Sequence, residues 1–131
     1  MTKLLIKTTR RVEMLDITAQ VAAAIHDSGV DAGLVTLYVP HTTAAVTINE
    51  NADPDVQSDM LMELNKLVPF EDGYRHLEGN SAAHLKSSLV GASETIIIDN
   101  GKLQLGTWQG VYFCEFDGPR RRQLYLKVAA G

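Results

Sequence analysis

Hydrophobic positions along the chain change repeatedly between short branched runs and helical spacing, and each change marks an element boundary. The run from Lys3 to Thr9 predicts a first strand. From Asp16 or Thr18 to about Asp27, the residues Ile17, Val21, Ala24 and Ile25 recur at helical spacing. Gly29 suits the left-handed residue that closes such a helix. His26, if protonated, would interact favourably with the C-terminal end of its dipole. Ala32 to Val39 and Ala44 to Asn49 read as two strands, parted by Pro40-His41-Thr42-Thr43. Asp53 then offers an N-cap and Pro54 the first position of a second helix. That helix runs to about Leu67, with Val56, Met60, Leu64 and Leu67 as its expected buried stripe. Asp55, Asp59 and Glu63 fall four apart on another face, where like charges repel by about 0.2–0.5 kcal/mol per pair.

Pro69 breaks this helix, and Phe70 to Arg75 forms a loop. A third helix is predicted from Ser81 to Val90, with Ala82, Leu85 and Leu89 turned to the core and Gly91 closing it. Thr95 to Asp99 contains three successive isoleucines and reads as a strand. Asn100-Gly101 signals a tight hairpin, because a primed turn needs positive φ at both central residues. Lys102 to Leu105 returns antiparallel. Val111 to Phe116 and Gln123 to Val128 are the last strands, separated by Asp117-Gly118-Pro119 and three arginines. The pattern is α+β, with about three helices among strands.

Length and charge narrow the possibilities. A chain of 131 residues is most simply one domain, residues 1–131. Sixteen acidic residues against twelve basic give a net charge of −4, which argues against a general nucleic-acid binder. Cys114 is the only cysteine, so no internal disulfide and no zinc-finger spacing exist, and buried packing is its expected role. No apolar run is long enough to cross a membrane, and the N-terminus lacks the apolar stretch of a signal peptide. The expected location is cytoplasmic, with neither nucleic acid nor membrane as partner.

The candidate chemistry is concentrated in Gly73 to His84, where His76, Glu78, Asn80 and His84 occupy a loop and the first turns of the third helix. Asn80 or Ser81 is expected to cap that helix, whose N-terminus also suits a phosphate or carboxylate. Asn80 and His84 are four apart and share a face. His41, His76 and His84 together could form a three-imidazole metal site with an open position, as catalytic zinc uses, although their separations match no diagnostic zinc spacing. The alternative is acid–base work, since histidine titrates near neutral pH. A magnesium-facing or substrate-facing role is conceivable for Asp53, Asp55 and Asp59 near Asn49 to Asn51. Trp108 and Gln109, between glycines, could wall a ligand or cap the core. Glu115 lies inside an apolar strand and needs a partner if buried, for which Arg120, Arg121 and Arg122 are candidates.

Several stretches carry a resemblance. They are His41-Thr42-Thr43-Ala44, Asn49 to Val56, Tyr74 to Lys86, Gly106-Thr107-Trp108-Gln109-Gly110 and Glu115-Phe116-Asp117-Gly118-Pro119-Arg120. In this order and over essentially the whole chain, the sequence resembles the YjbQ-like family, named for a secondary thiamine-phosphate synthase activity. That reaction joins a hydroxymethylpyrimidine diphosphate to a thiazole phosphate and releases diphosphate. The resemblance implies an α+β fold, a mixed or antiparallel β-sandwich, that assembles as a homotrimer. It implies His41, His76, Glu78 and His84 as catalytic groups. It implies Asn51, Asp53, Asn80, Trp108, Gln109, Glu115 and Arg120 as substrate-binding groups, to which Ser81 at the start of the third helix is added as a phosphate holder. On this reading Asn80, Ser81 and Arg120 hold phosphate, Trp108 stacks on a heteroaromatic ring, and the three histidines bind a divalent metal, zinc or magnesium, or move protons. The alternative is a non-catalytic homotrimer that binds a metal or a small phosphorylated anion.

Overall fold

The computed structural model describes residues 1–131 as eight strands and three helices. Five strands form one sheet in the order β1 (Thr2–Lys7), β8 (Arg121–Ala130), β3 (Gly33–Tyr38), β5 (Ser93–Asp99), β6 (Lys102–Leu103). Three more form a second sheet in the order β2 (Glu13–Asp16), β7 (Gln109–Glu115), β4 (Ala44–Glu50). Every pairing is antiparallel. The helices are α1 (Thr18–Ser28), α2 (Pro54–Leu67) and α3 (Ser81–Val90).

Strand alternation builds the layers. Val111 and Phe113 of β7 and Ala44 and Val46 of β4 face the inner side of the five-stranded sheet, where Val35, Leu37, Ile96, Ile98, Leu124 and Leu126 meet them. Val21 and Ile25 of α1 complete this core. The intervening residues Ala45, Tyr112 and Cys114 point the other way and pack with Ala83 of α3 and, at the margin, Leu61 and Leu64 of α2. β7 is therefore buried on both faces, which its nearly unbroken apolar run allows. No helix is long and apolar enough to cross a membrane.

Local signals explain most boundaries. Asp53 accepts from the Asp55 N–H at 2.9 Å, with Pro54 opening α2. Gly29 closes α1 in the left-handed region, with φ of 69°. Asn100 and Gly101 both carry positive φ, 51° and 69°, as the hairpin signal required.

One strand was not anticipated, and two expectations fail. β2 has no counterpart in the sequence pattern; four residues with an acid at each end show no periodicity, and its pairing with β7 specifies it. The predicted stripe of α2 is not a buried one, for no residue of that helix is fully buried and Leu67 is 73% exposed. On α3, Leu85 and Leu89 are exposed, while Ala82, Ala83, Lys86 and Ser87 turn inward. Ala83 of α3 packs with Ala45 of β4, so small residues and an aliphatic lysine stem fill this face.

Candidate active site

One end of the sandwich opens into a cleft of about 690 Å³. It forms where β3 ends, β4 and β8 begin, β7 ends, and α3 presents its N-terminus. His41, Glu78, Asn80, His84, Arg120 and Arg122 all contribute to its wall, with Asp117, Thr42, Thr43 and Tyr38. Segments far apart in sequence meet here because antiparallel pairing sets Ala44 opposite Glu115. Ser87 of α3 donates to the Thr42 carbonyl at 2.6 Å and so fixes the His41 turn against the helix.

The floor is a buried ion pair. Arg122 donates through Nε to Glu115 Oε1 at 2.9 Å and through Nη2 to Glu115 Oε2 and to Thr43 Oγ1, the last at 2.8 Å. Thr8 Oγ1 donates to Glu115 Oε1 at 2.7 Å, and the Asp117 N–H donates to Oε2 at 3.0 Å. Burial pushes the Glu115 carboxyl up, but the hydrogen bonds from Arg122, Thr8 and Asp117 outweigh it and hold it below the usual carboxylate range. Arg122 Nη1 takes no part in this set, and the residue lines the cleft.

A second pair lies nearer the surface. Arg120 reaches Asp117 Oδ2 through Nη2 at 2.9 Å and the Asp117 carbonyl through Nε at 2.7 Å. Asn80 Nδ2 donates to the same Asp117 Oδ2 at 2.9 Å. Burial raises the Asp117 carboxyl, but these bonds and the two arginine charges keep it low. Gly118 follows in a cis peptide with Pro119. A Cβ on Gly118 would come within 2.2 Å of the Arg10 carbonyl oxygen and 2.8 Å of Glu115 Cγ, so only glycine fits.

The expected site residues divide into groups. His41, Glu78, Asn80, His84 and Arg120 share the cleft, as expected. His76 and Ser81 border an adjoining hollow that also touches His84. Glu115 is fully buried with both oxygens engaged, so it positions Arg122 and does not reach a ligand. Asn80 does not cap α3, because its amide is drawn to Asp117; its Oδ1 is buried without a partner beside the cleft. Asp53 spends its carboxylate as the α2 cap. Asn51, Asp53, Trp108 and Gln109 gather at the opposite end of the β4–β7 pair, where Glu50 faces Gln109. Six residues of strand separate that end from the Ala44–Glu115 end, or roughly 20 Å. Trp108 is therefore not a wall of this cleft within one chain; it is 64% exposed at the tip of its turn.

Sequence reasoning left out Asp117, Thr42, Thr43 and Tyr38, and did not single out Arg122. For Arg122 a signal existed. It alternates in step with Leu124 and Leu126, which places it rather than the neighbouring Arg121 on the inner face, while Arg120 lies before the strand begins.

The three histidines do not fit a metal as arranged. His41 Nε2 accepts the Gln123 N–H at 2.9 Å, so its lone pair is committed. The His76 and His84 rings meet edge to face, with centroids 5.6 Å apart. No three histidine, cysteine, aspartate or glutamate side chains gather as a ligand set.

Relatives share this architecture. A UPF0047 protein of Bacillus subtilis, YugU, is 58% identical over 124 residues, covering 94% of each chain. A UPF0047 protein of Methanocaldococcus jannaschii is also 58% identical, over 94% of this chain and 89% of its own. A crystal structure of a YjbQ/UPF0047 protein of Clostridium acetobutylicum superposes with a TM-score of 0.96 at 52% identity, covering 98% of this chain and all of that one. A YbjQ-like protein of Sulfolobus solfataricus, at 30% identity, reaches 0.95 over 99% of this chain and 96% of its own. The family model described as UPF0047 protein YjbQ-like matches residues 2–131, and the chain belongs to that family.

Proposed function

We propose that the cleft is the active site of a small transferase that acts as a thiamine-phosphate synthase. It joins a hydroxymethylpyrimidine diphosphate to a thiazole phosphate. The observation that carries this reading is the meeting of His41, His84 and Glu78 with the guanidinium groups of Arg120 and Arg122 in one cleft. In the reaction the thiazole nitrogen bonds to the methylene carbon, the bond from that carbon to diphosphate oxygen breaks, and diphosphate leaves with the electron pair. Arg120 Nη1, outside the Asp117 contacts, and the uncapped N-terminus of α3 supply donors for the departing charge. His84 is within reach of both the cleft and the hollow bordered by His76 and Ser81, and supplies a proton to the leaving group. No step is assigned to a metal.

The test is product formation from the two purified substrates, with protein made in a host lacking its main synthase. His84→Ala is expected to lower turnover by about 100- to 10,000-fold while keeping its fold, the usual contribution of a positioned acid or base. Equal turnover in both proteins would remove His84 from the chemistry. Phosphate binding in the cleft without any turnover would favour the second reading, a binding protein for a small phosphorylated anion. That reading draws on the rigid Glu115–Arg122 pair, which holds a guanidinium in place without any need for chemistry. In either case we propose a homotrimer, on the support of leucines that one chain leaves uncovered.

A further inference from the structure

We infer that His41 serves the cleft as a neutral hydrogen-bond donor, presenting Nδ1–H to an oxyanion of the ligand, and is neither a general base nor a metal ligand. The inference rests on the reading that the cleft takes an oxyanion, and it assigns the group that polarises it. A backbone N–H can only donate. The Gln123 N–H lies 2.9 Å from His41 Nε2, so that nitrogen carries the lone pair. A neutral imidazole has one N–H and one lone pair, which puts the proton on Nδ1. Gln123 belongs to β8, which is hydrogen-bonded to β1 and β3 on its two sides, so this donor cannot swing away.

The surroundings oppose a second proton on the ring. Protonating Nε2 would set two donors against each other at Gln123. Burial disfavours the imidazolium, and the Arg122 guanidinium adds to this; together they outweigh the opposing effects of Glu115 and of the Gln123 backbone. With Nε2 occupied, the ring keeps no lone pair for a metal or for a substrate proton. Nδ1–H forms no hydrogen bond within the chain, and His41 lines the cleft. Arg120 and Arg122 each leave Nη1 outside their carboxylate contacts on the same wall. Two fixed charges and one neutral donor thus serve one space. A neutral imidazole held in this way stabilises developing negative charge without first losing a proton.

The experiment is long-range proton–nitrogen NMR of the histidine rings in the uniformly ¹⁵N-labelled full chain at neutral pH, with His41 assigned by its loss in His41→Ala. The expected pattern is neutral, with protonated Nδ1 and unprotonated Nε2. Addition of inorganic phosphate is expected to move the Nδ1–H resonance, and addition of Zn²⁺ to leave the ring nitrogens unmoved. His41→Asn, whose amide nitrogen can stand in for Nδ1–H, should bind inorganic phosphate more nearly like the wild type. His41→Ala should bind it roughly tenfold or more weakly, as loss of one hydrogen bond to a charged group implies. A proton on Nε2, a doubly protonated ring, a shift of the ring nitrogens with Zn²⁺, or no response to phosphate would each overturn the inference. Failure of the synthase assay leaves the ring pattern untouched and speaks against the proposed substrates alone.

Discussion

Glu115 is beyond the reach of bulk water and Arg122 meets it only at the cleft wall, so each charge is tolerable only because of the other. Removing the negative partner leaves a buried guanidinium. Glu115→Gln is therefore expected to destabilise the fold by about 3–5 kcal/mol at neutral pH. The acid limb of stability carries a second signature. In the unfolded chain the carboxyl titrates near its ordinary value of about 4.3, whereas in the fold it titrates lower. Between the two values the unfolded chain binds the extra proton, so stability present above about pH 4.3 is lost as pH falls through the folded value. Asp117 acts with the same sign. Thermal melting between neutral pH and about pH 3 should show this loss in the wild type and a shallower one in Glu115→Gln. Parallel curves would mean that Glu115 contributes nothing to the acid limb.

At the scale of elements, α3 is held by an unusual contact. Lys86 is fully buried, its Nζ donates to Asn65 Oδ1 of α2, and it lies 3.8 Å from the centre of the Phe70 ring. Arg11, from the β1–β2 connection, approaches the same ring at 3.7 Å. Burial, and then the Arg11 charge, bring the Lys86 ammonium down to about 8. An unfolded lysine titrates near 10.4, so between about pH 8 and 10 the unfolded chain binds more protons and stability rises with pH. Lys86→Met keeps the stem and removes the charge. The rise should vanish in that variant, and a rise of unchanged slope would show that another group causes it. The same helix shows what the sequence could tell. Its limits, Ser81 and Val90, were legible from Pro69, the polar run before it and Gly91. Its inward face was not, since Leu85 and Leu89 fit a helical stripe through Ala82 as well as Lys86 does, and their apolar side chains favoured them. Similarly, His41, Glu78, Asn80, His84 and Arg120, which line one cleft, were singled out in the sequence by their chemistry and by the family resemblance together. That Asn51, Asp53, Trp108 and Gln109 lie at the other end of the same strands was not legible, because only the β4–β7 register decides it.

The whole chain leaves a large apolar surface. Leu67 and Leu89 stand beside an apolar hollow that Met60, Leu64 and Val90 also line. Leu34 and Ile97, cross-strand neighbours on the outer side of the larger sheet, are also open to solvent. Patches of this kind are usually covered by another chain. Light scattering on the purified protein is expected to give about three times the 14.3 kDa chain mass, in line with the proposed trimer, whereas a monomer mass would remove it.

Cys114, inside the layer between β7 and the helices, has a further practical consequence. Burial pushes its thiol up to about 12, so at neutral pH it offers neither thiolate nor access. The native chain is thus silent to maleimide dyes. A cysteine introduced by Leu77→Cys, at a fully exposed position between His76 and Glu78, becomes the single place where a fluorophore attaches. The response of that loop to a ligand in the cleft, which Glu78 lines, can then be followed by fluorescence in a protein whose own cysteine never has to be removed.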